Sequence, residues 1–267
     1  FEEETGLPIS GNLPGTALVI LLVLLAVILT LLVRRLPENK APSFPADFTA
    51  RDSRLLFLPM AGLFLMGLSG VLDLIAGLGL TETLLQGVVS AADPSGMTSV
   101  VAISSSDGYS PQAHLILGVL DLVSAAGLFF AVRACGIKQR HNRLRFNGTW
   151  LLAPVLAMAV RLVLAYRVDS VNPALEAYYV ELLALVFLNL AFYRFSSFSF
   201  GSGQTRRFAL YTCCAVVLCM AAFCDSCSIS ARFLEIGGGL CVLGFLLLHL
   251  TAAPTSEPSG DSGEEIE

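Results

Sequence analysis

Seven apolar stretches constrain this chain more than any other feature of its sequence. Each is long enough, or nearly so, to cross a hydrocarbon layer of about 30 Å at about 1.5 Å per helical residue. Backbone polar groups inside a bilayer must be satisfied within their own segment, so such stretches fold as α-helices. The stretches are 17–33, 55–80, 111–132, 149–165, 173–195, 208–223 and 231–250.

The composition agrees with this pattern. Only 14% of the 267 residues are charged and the mean hydropathy is +0.75, whereas soluble domains carry about 25% charged residues. These values exclude a soluble enzyme and a disordered protein, and the net charge of −5 argues against a nucleic-acid binder. The sequence therefore predicts an all-α membrane protein, a bundle of seven transmembrane helices in one domain, 1–253. Residues 254–267, rich in Ser, Gly, Pro and Glu, are expected to form a disordered acidic tail.

Basic residues predict the orientation of the bundle. The linkers after the first, third and fifth stretches, together with Arg194 at the end of the fifth stretch, hold 13 of the 16 lysines and arginines. By the positive-inside rule these linkers are cytoplasmic, which places the N-terminus outside and the C-terminal tail in the cytoplasm. We expect an integral, multi-pass protein of the plasma membrane, with the lipid bilayer as its surroundings. The basic run Lys138, Arg140, Arg143 and Arg145 is a candidate contact for a cytoplasmic protein partner.

The chain begins at Phe1, so we expect a fragment or a processed form. The segment before the first stretch is acidic and lacks the positive start of a secretory signal, while Arg34 and Arg35 follow the stretch as a stop-transfer pattern. The first stretch is therefore interpreted as a retained span.

Two linkers are long. Residues 36–54 carry three prolines, which predicts an extended connector. Residues 81–110, on the predicted external side, form either a lid over a cavity or a plain connector.

The sequence lacks the residues that several known functions of membrane proteins require. A retinal protein needs a lysine in its last span, and the only lysines are Lys40 and Lys138 in linkers. The histidines His114, His141 and His249 fall near different membrane faces, so they cannot converge on one zinc ion. We therefore expect no metal site and no cofactor, and we assign no catalytic residue.

The cysteines allow two interpretations. Cys224 and Cys227 form a Cys-x-x-Cys, a spacing that suits a redox dithiol. No second pair exists to pass electrons onward, and cysteine also serves as a small apolar residue at helix contacts. The sequence does not decide whether the pair forms a disulfide.

Charged residues inside the predicted spans mark the candidate site. An ion near the bilayer centre costs about 2.5–3.5 kcal/mol on insertion scales, so such residues indicate function or a paired structural lock. Small residues lie beside each of them on its helical face, and His114 shares a stripe with Gly118 and Asp121. Helix contacts need small residues, so these faces are expected to point inward in the outer half of the bundle. The candidate binding residues are Asp73, His114, Asp121, Arg161, Glu181 and Glu235.

The excess of acids over Arg161 favours a cavity that holds water, protons, or a positively charged or zwitterionic ligand. The leading hypothesis is a protein that binds or transports a small polar or cationic solute or ion. One alternative is a membrane-embedded enzyme for a lipid or envelope substrate, with His114 and Asp121 or Glu181 as its acid–base pair. Another is a sensor or assembly subunit with no ligand, whose basic cytoplasmic linkers and acidic tail contact a partner. The polar residues can also form a structural network that only fixes helix register. A non-enzymatic role is favoured, although the absence of an internal repeat or broken-helix pair counts against a secondary transporter.

Overall fold

Each of the seven apolar stretches lies mainly in an α-helix where the structure describes it. The computed structural model describes residues 13–36, 44, 46–50, 52–80, 109–136, 147–169, 175–223 and 228–252, and these ranges contain no β-strand. Three short 3-10 helices, Ala46–Phe48, Ser53–Leu56 and Gly148–Leu151, accompany the α-helices. The α-helices are α1 Leu13–Val33, α2 Phe57–Gly77, α3 Pro111–Gly136, α4 Leu152–Asp169, α5 Leu175–Ser199, α6 Thr205–Ala222 and α7 Ile229–Ala252.

Six of these helices, α2 to α7, are long and apolar enough to cross a membrane. The prediction of an all-α membrane protein is confirmed at that level. Helix α1 is apolar from Val19 to Val33, a shorter stretch than the other six, and its role as a seventh span stays a prediction. Its side chains Ile20, Leu21 and Leu24 are exposed, as expected for a helix that faces hydrocarbon.

Helices α2 to α7 form a closed ring in chain order. Each helix packs against its neighbours in the chain, and α7 returns to pack against α2. Helix α5 also contacts α7, while α1 lies outside the ring against α6. This order brings the inward faces of α2, α3, α4 and α7 together.

Glycines let α2 approach its two ring neighbours closely. A Cβ at Gly62 would lie 2.5 Å from the carbonyl oxygen of Gly237 on α7. A Cβ at Gly118 of α3 would lie 2.8 Å from the carbonyl oxygen of Gly70 on α2. Helices in lipid associate through close backbone approach, so these contacts bind α2 between α3 and α7.

Helix α3 begins where the sequence predicted. Pro111 is its first residue, and the Ala113 amide donates to Ser110 Oγ at 3.3 Å. Proline costs no hydrogen bond at this position, and the serine satisfies an exposed amide of the first turn. Helix α3 continues to Gly136, four residues beyond the predicted end of the span.

The linker between α1 and α2 is not simply an extended connector. Its described part forms two 3-10 helices, and the Phe48 side chain is fully buried at one end of the ring. The Ala50 amide donates to the Cys135 carbonyl of α3 at 3.1 Å, which anchors the linker. The Phe48 ring packs within a group of aromatic side chains that we call the aromatic cluster. It comprises Phe44, Phe48, Phe195, Phe198, Phe208, Phe245 and His249.

Several predictions concern parts of the chain outside the described residues. These are the lid or connector role of 81–108, the basic run within 137–146, the pair Cys224 and Cys227, and the tail 254–267. They stay predictions.

Candidate functional site

Arg161 of α4 lies at the centre of a buried group of charges. Its Nη2 donates to Asp73 Oδ2 of α2 at 2.7 Å, and its Nη1 lies 3.4 Å from Asp121 Oδ2 of α3. Arg161 is 4% exposed, Asp73 1% and Asp121 0%. Three helices thus meet at one guanidinium, as the inward helical faces indicated.

His114 of α3, the helix that also carries Asp121, contacts the same Asp73 carboxylate. Its Nδ1 lies 3.4 Å from Asp73 Oδ1, so both oxygens of Asp73 face a nitrogen donor. The ring of Tyr109 packs edge-on against the imidazole at a centroid distance of 5.6 Å. The sequence paired His114 with Asp121 or Glu181, whereas in the structure its carboxylate partner is Asp73.

Two serines complete the group and join α2 to α7. Ser69 Oγ donates to the Ser230 carbonyl at 2.9 Å and lies 3.1 Å from Ser230 Oγ. Arg161 Nη2 lies 3.4 Å from the same Ser230 hydroxyl. We call this site the ion cluster, and it comprises Ser69, Asp73, His114, Asp121, Arg161 and Ser230.

Ser230 was not among the predicted site residues. Serine is common in membrane helices and carries no charge, so its type alone gives no signal. Its position does give one, because Ser230, Gly237 and Gly244 recur at every seventh residue and share the face that packs on α2.

Glu181 and Glu235 lie apart from these contacts. Glu181 of α5 interacts electrostatically with Arg161, at the edge of the ion cluster. Glu235 of α7 is 1% exposed and lies near Cys219 of α6, on a different side of α7 from Ser230. The six predicted residues therefore divide into four in contact, one nearby and one between α6 and α7.

One oxygen of the ion cluster lacks a protein partner. Asp121 Oδ1 is buried and accepts no hydrogen bond within the part of the chain that the structure describes. A buried carboxylate oxygen without a donor is costly in hydrocarbon. It needs a proton, a water molecule or a cation beside it.

The charges of the ion cluster define its chemistry. Two carboxylates face one permanent cation and one histidine, so the cluster carries a net negative charge when both carboxylates are ionised and the imidazole is neutral. Such a set can hold a proton or a small cation, and it can bind a zwitterion whose carboxylate displaces an acid from Arg161. Among the described residues, no three His, Cys, Asp or Glu side chains are grouped to hold a metal ion.

No family model matches the chain, and no curated protein or solved structure is similar to it. Fold and site together define a polytopic α-helical membrane protein whose charged residues meet inside the bundle.

Proposed function

We propose that this protein binds or transports a small polar or cationic solute or ion, and that the ion cluster is its binding site. The observation that carries the proposal is the Asp121 carboxylate. It is fully buried on an inward helical face, yet only its Oδ2 has a partner among the described residues. A purely structural lock would be expected to satisfy both oxygens, as Asp73 does.

The geometry of Arg161 supports a ligand that exchanges with Asp121. Its contact with Asp73 is short at 2.7 Å, while its contact with Asp121 is 3.4 Å. Charge-assisted hydrogen bonds are strongest below about 2.9 Å, so the Asp121 contact is the weaker one. Asp73 therefore holds Arg161 in place, and Asp121 is the group that changes partner.

The basic residues of the linkers support an orientation. With the odd-numbered linkers in the cytoplasm of a plasma-membrane protein, the N-terminus lies outside and the C-terminus inside. The ion cluster then lies in the outer half of the bilayer, and the aromatic cluster lies toward the cytoplasm.

Asp121→Asn tests the proposal in purified protein reconstituted in nanodiscs. The probes are sodium, ammonium, a linear diamine and glycine betaine, which cover inorganic cations, an organic cation and a zwitterion. At about 100 times its Kd a ligand stabilises the fold by about 2.7 kcal/mol, or about 5–10 °C in Tm. We expect at least one probe to raise the Tm of the wild type, and D121N to lose that shift because its neutral amide removes one of the two negative charges that attract a cation.

Asp52→Asn is the matched control, since Asp52 is exposed and lies outside the ion cluster. It should keep the wild-type shift. The proposal is contradicted if no probe stabilises the wild type, or if D121N responds as D52N does.

A further inference from the structure

Helix α1 leaves an apolar groove where it packs beside α5 and α6. The groove has a volume of about 190 Å³ and is half open to the surroundings. Its walls are almost entirely apolar and come from all three helices, among them Ala26 and Leu29 of α1, Phe187 of α5, and Cys214 and Leu218 of α6. An apolar cavity of about 150 Å³ is large enough to hold benzene, so this groove has room for a stretch of hydrocarbon chain. We call it the α1 groove.

A positive charge lies beyond one end of the α1 groove. Arg194 follows Phe187 by seven residues on α5, which places it on the same helical face about 10 Å further along. Its guanidinium lies 5.9 Å from the centroid of the Tyr211 ring of α6 and 5.6 Å from that of Tyr193. The Tyr211 ring in turn lies 6.3 Å from the Phe187 ring, centroid to centroid. A continuous surface therefore leads from the apolar walls to the guanidinium.

Arg194 is suited to bind an anion. It forms no ion pair within the part of the chain that the structure describes, and its Nε, although enclosed, has no hydrogen-bond partner there. The side chain as a whole is half-buried, so it is not sealed inside the protein. A guanidinium held against aromatic rings and without a carboxylate can donate two parallel hydrogen bonds to a phosphate.

Further arginines surround this end of the groove. Arg206 Nε of α6 donates to the Leu36 carbonyl at 2.9 Å, which holds the end of α1 beside the start of α6. Arg34, Arg35 and Arg207 lie at these same two helix ends and are exposed. Basic clusters of this kind beside membrane helices attract anionic lipid headgroups. The charge at this end and the apolar walls behind it match the two parts of one molecule, an anionic phospholipid.

We propose that a phospholipid with a net negative headgroup binds here, with its phosphate at Arg194 and one acyl chain in the α1 groove. The phosphate accepts hydrogen bonds from the guanidinium, and the chain covers the apolar walls. Helix α1, which lies outside the ring, is then joined to α5 and α6 through the lipid as well as by its own contact with α6. This site goes beyond solute binding, because the ion cluster is built from α2, α3, α4 and α7.

Native mass spectrometry of the purified full chain tests the headgroup contact. Phosphatidylglycerol and phosphatidylcholine with the same acyl chains are titrated into the detergent solution. The wild type should retain phosphatidylglycerol at lower lipid concentration, because only this lipid carries a net negative charge. Arg194→Gln should weaken phosphatidylglycerol binding about fivefold, the contribution of one arginine near a membrane surface.

Arg133→Gln is the matched control for the charge. Arg133 is exposed near the end of α3, at the same end of the bundle, and α3 packs against α2 and α4 rather than beside the α1 groove. R133Q should bind phosphatidylglycerol as the wild type does. Equal affinity of the wild type for the two lipids would overturn the proposal, and so would a folded R194Q that binds as R133Q does.

A second pair of variants tests the acyl-chain contact. Ala26 is exposed on the wall of the groove, so Ala26→Trp fills the space without entering the core, and it should lose retention of both lipids. Val27→Trp adds the same ring at an exposed neighbour that does not line the groove, and it should bind as the wild type does. Equal retention by A26W and V27W would refute the placement of the chain. D121N should keep its phosphatidylglycerol binding, so failure of the lipid site is distinguishable from failure of solute binding.

Discussion

The contact between Arg161 and Asp73 offers the most direct measure of what the ion cluster contributes to stability. Arg161→Met removes the guanidinium while keeping much of the apolar length of the side chain. Asp73 and Asp121 are then left buried beside each other without their shared cation. Asp73→Asn removes one charge but leaves Arg161 its longer contact with Asp121.

The burial of the ion pairs and the two Arg161–carboxylate distances set the expected losses in the free energy of unfolding. Breaking a buried ion pair by removing one partner costs about 3–5 kcal/mol, so R161M should lower the free energy of unfolding by that amount. The double variant R161M/D73N no longer strands the Asp73 charge. Its loss should therefore be smaller than the sum of the single losses by about 2–3 kcal/mol. The same cycle with Asp121→Asn should give about 1 kcal/mol or less, because that contact is 3.4 Å rather than 2.7 Å.

Denaturation by SDS in mixed micelles, followed by far-ultraviolet circular dichroism, measures these free energies. The control pairs R161M with Asp52→Asn, which should be additive within about 0.5 kcal/mol since Asp52 lies outside the ion cluster. If the Asp73 cycle is also additive, Arg161 and Asp73 do not stabilise one another and the account of the cluster fails. Equal coupling for Asp73 and Asp121 would refute the distinction drawn from the two distances.

Two further predictions concern packing, and the same denaturation assay measures both. Gly62→Ala should destabilise the protein by about 1–3 kcal/mol, because the new methyl would lie 2.5 Å from the Gly237 carbonyl oxygen. Gly67→Ala is its control and should change the free energy of unfolding little, since the nearest atom to its new methyl would be 3.7 Å away. Equal losses of stability for the two variants would mean that close approach of α2 and α7 is not what holds these helices together. Phe48→Ala should cost about 3–5 kcal/mol and expose the linker to protease, because it removes a fully buried ring. Phe57→Ala, at an exposed position, should leave both properties near wild type, and a protease-resistant F48A linker would show that Phe48 does not hold it.

Helix positions were predictable because the signal for them is local. An apolar run of about 20 residues has few stable conformations in a bilayer other than a helix, whatever its neighbours do. The cap at Ser110 and Pro111 is likewise a property of adjacent residues. The ends of helices were less accurate, as at Gly136, because one more helical turn changes the hydrophobic length very little.

The site was predictable in part. Asp73, His114, Asp121 and Arg161 could be grouped because each lies on a helical face with small residues, and such faces pack inward. Glu235 satisfied the same rule, yet its small-residue face contacts α5 and α6, where Gly238 and Gly239 meet Leu188 and Cys219. An inward face indicates burial in the bundle, and it does not specify which neighbour the side chain will meet.

A bundle of apolar helices with a small number of inward-facing charges could be predicted from the order of the amino acids alone. Hydrophobic length and helical periodicity are properties of one segment, so they can be evaluated without knowing how the other helices pack. The folded bundle was needed to show that Arg161 pairs with Asp73 more closely than with Asp121, that Ser230 joins them, and that Phe48 is buried among aromatic rings. Those outcomes depend on which helices become neighbours in the ring, and that is a property of all the helix contacts together.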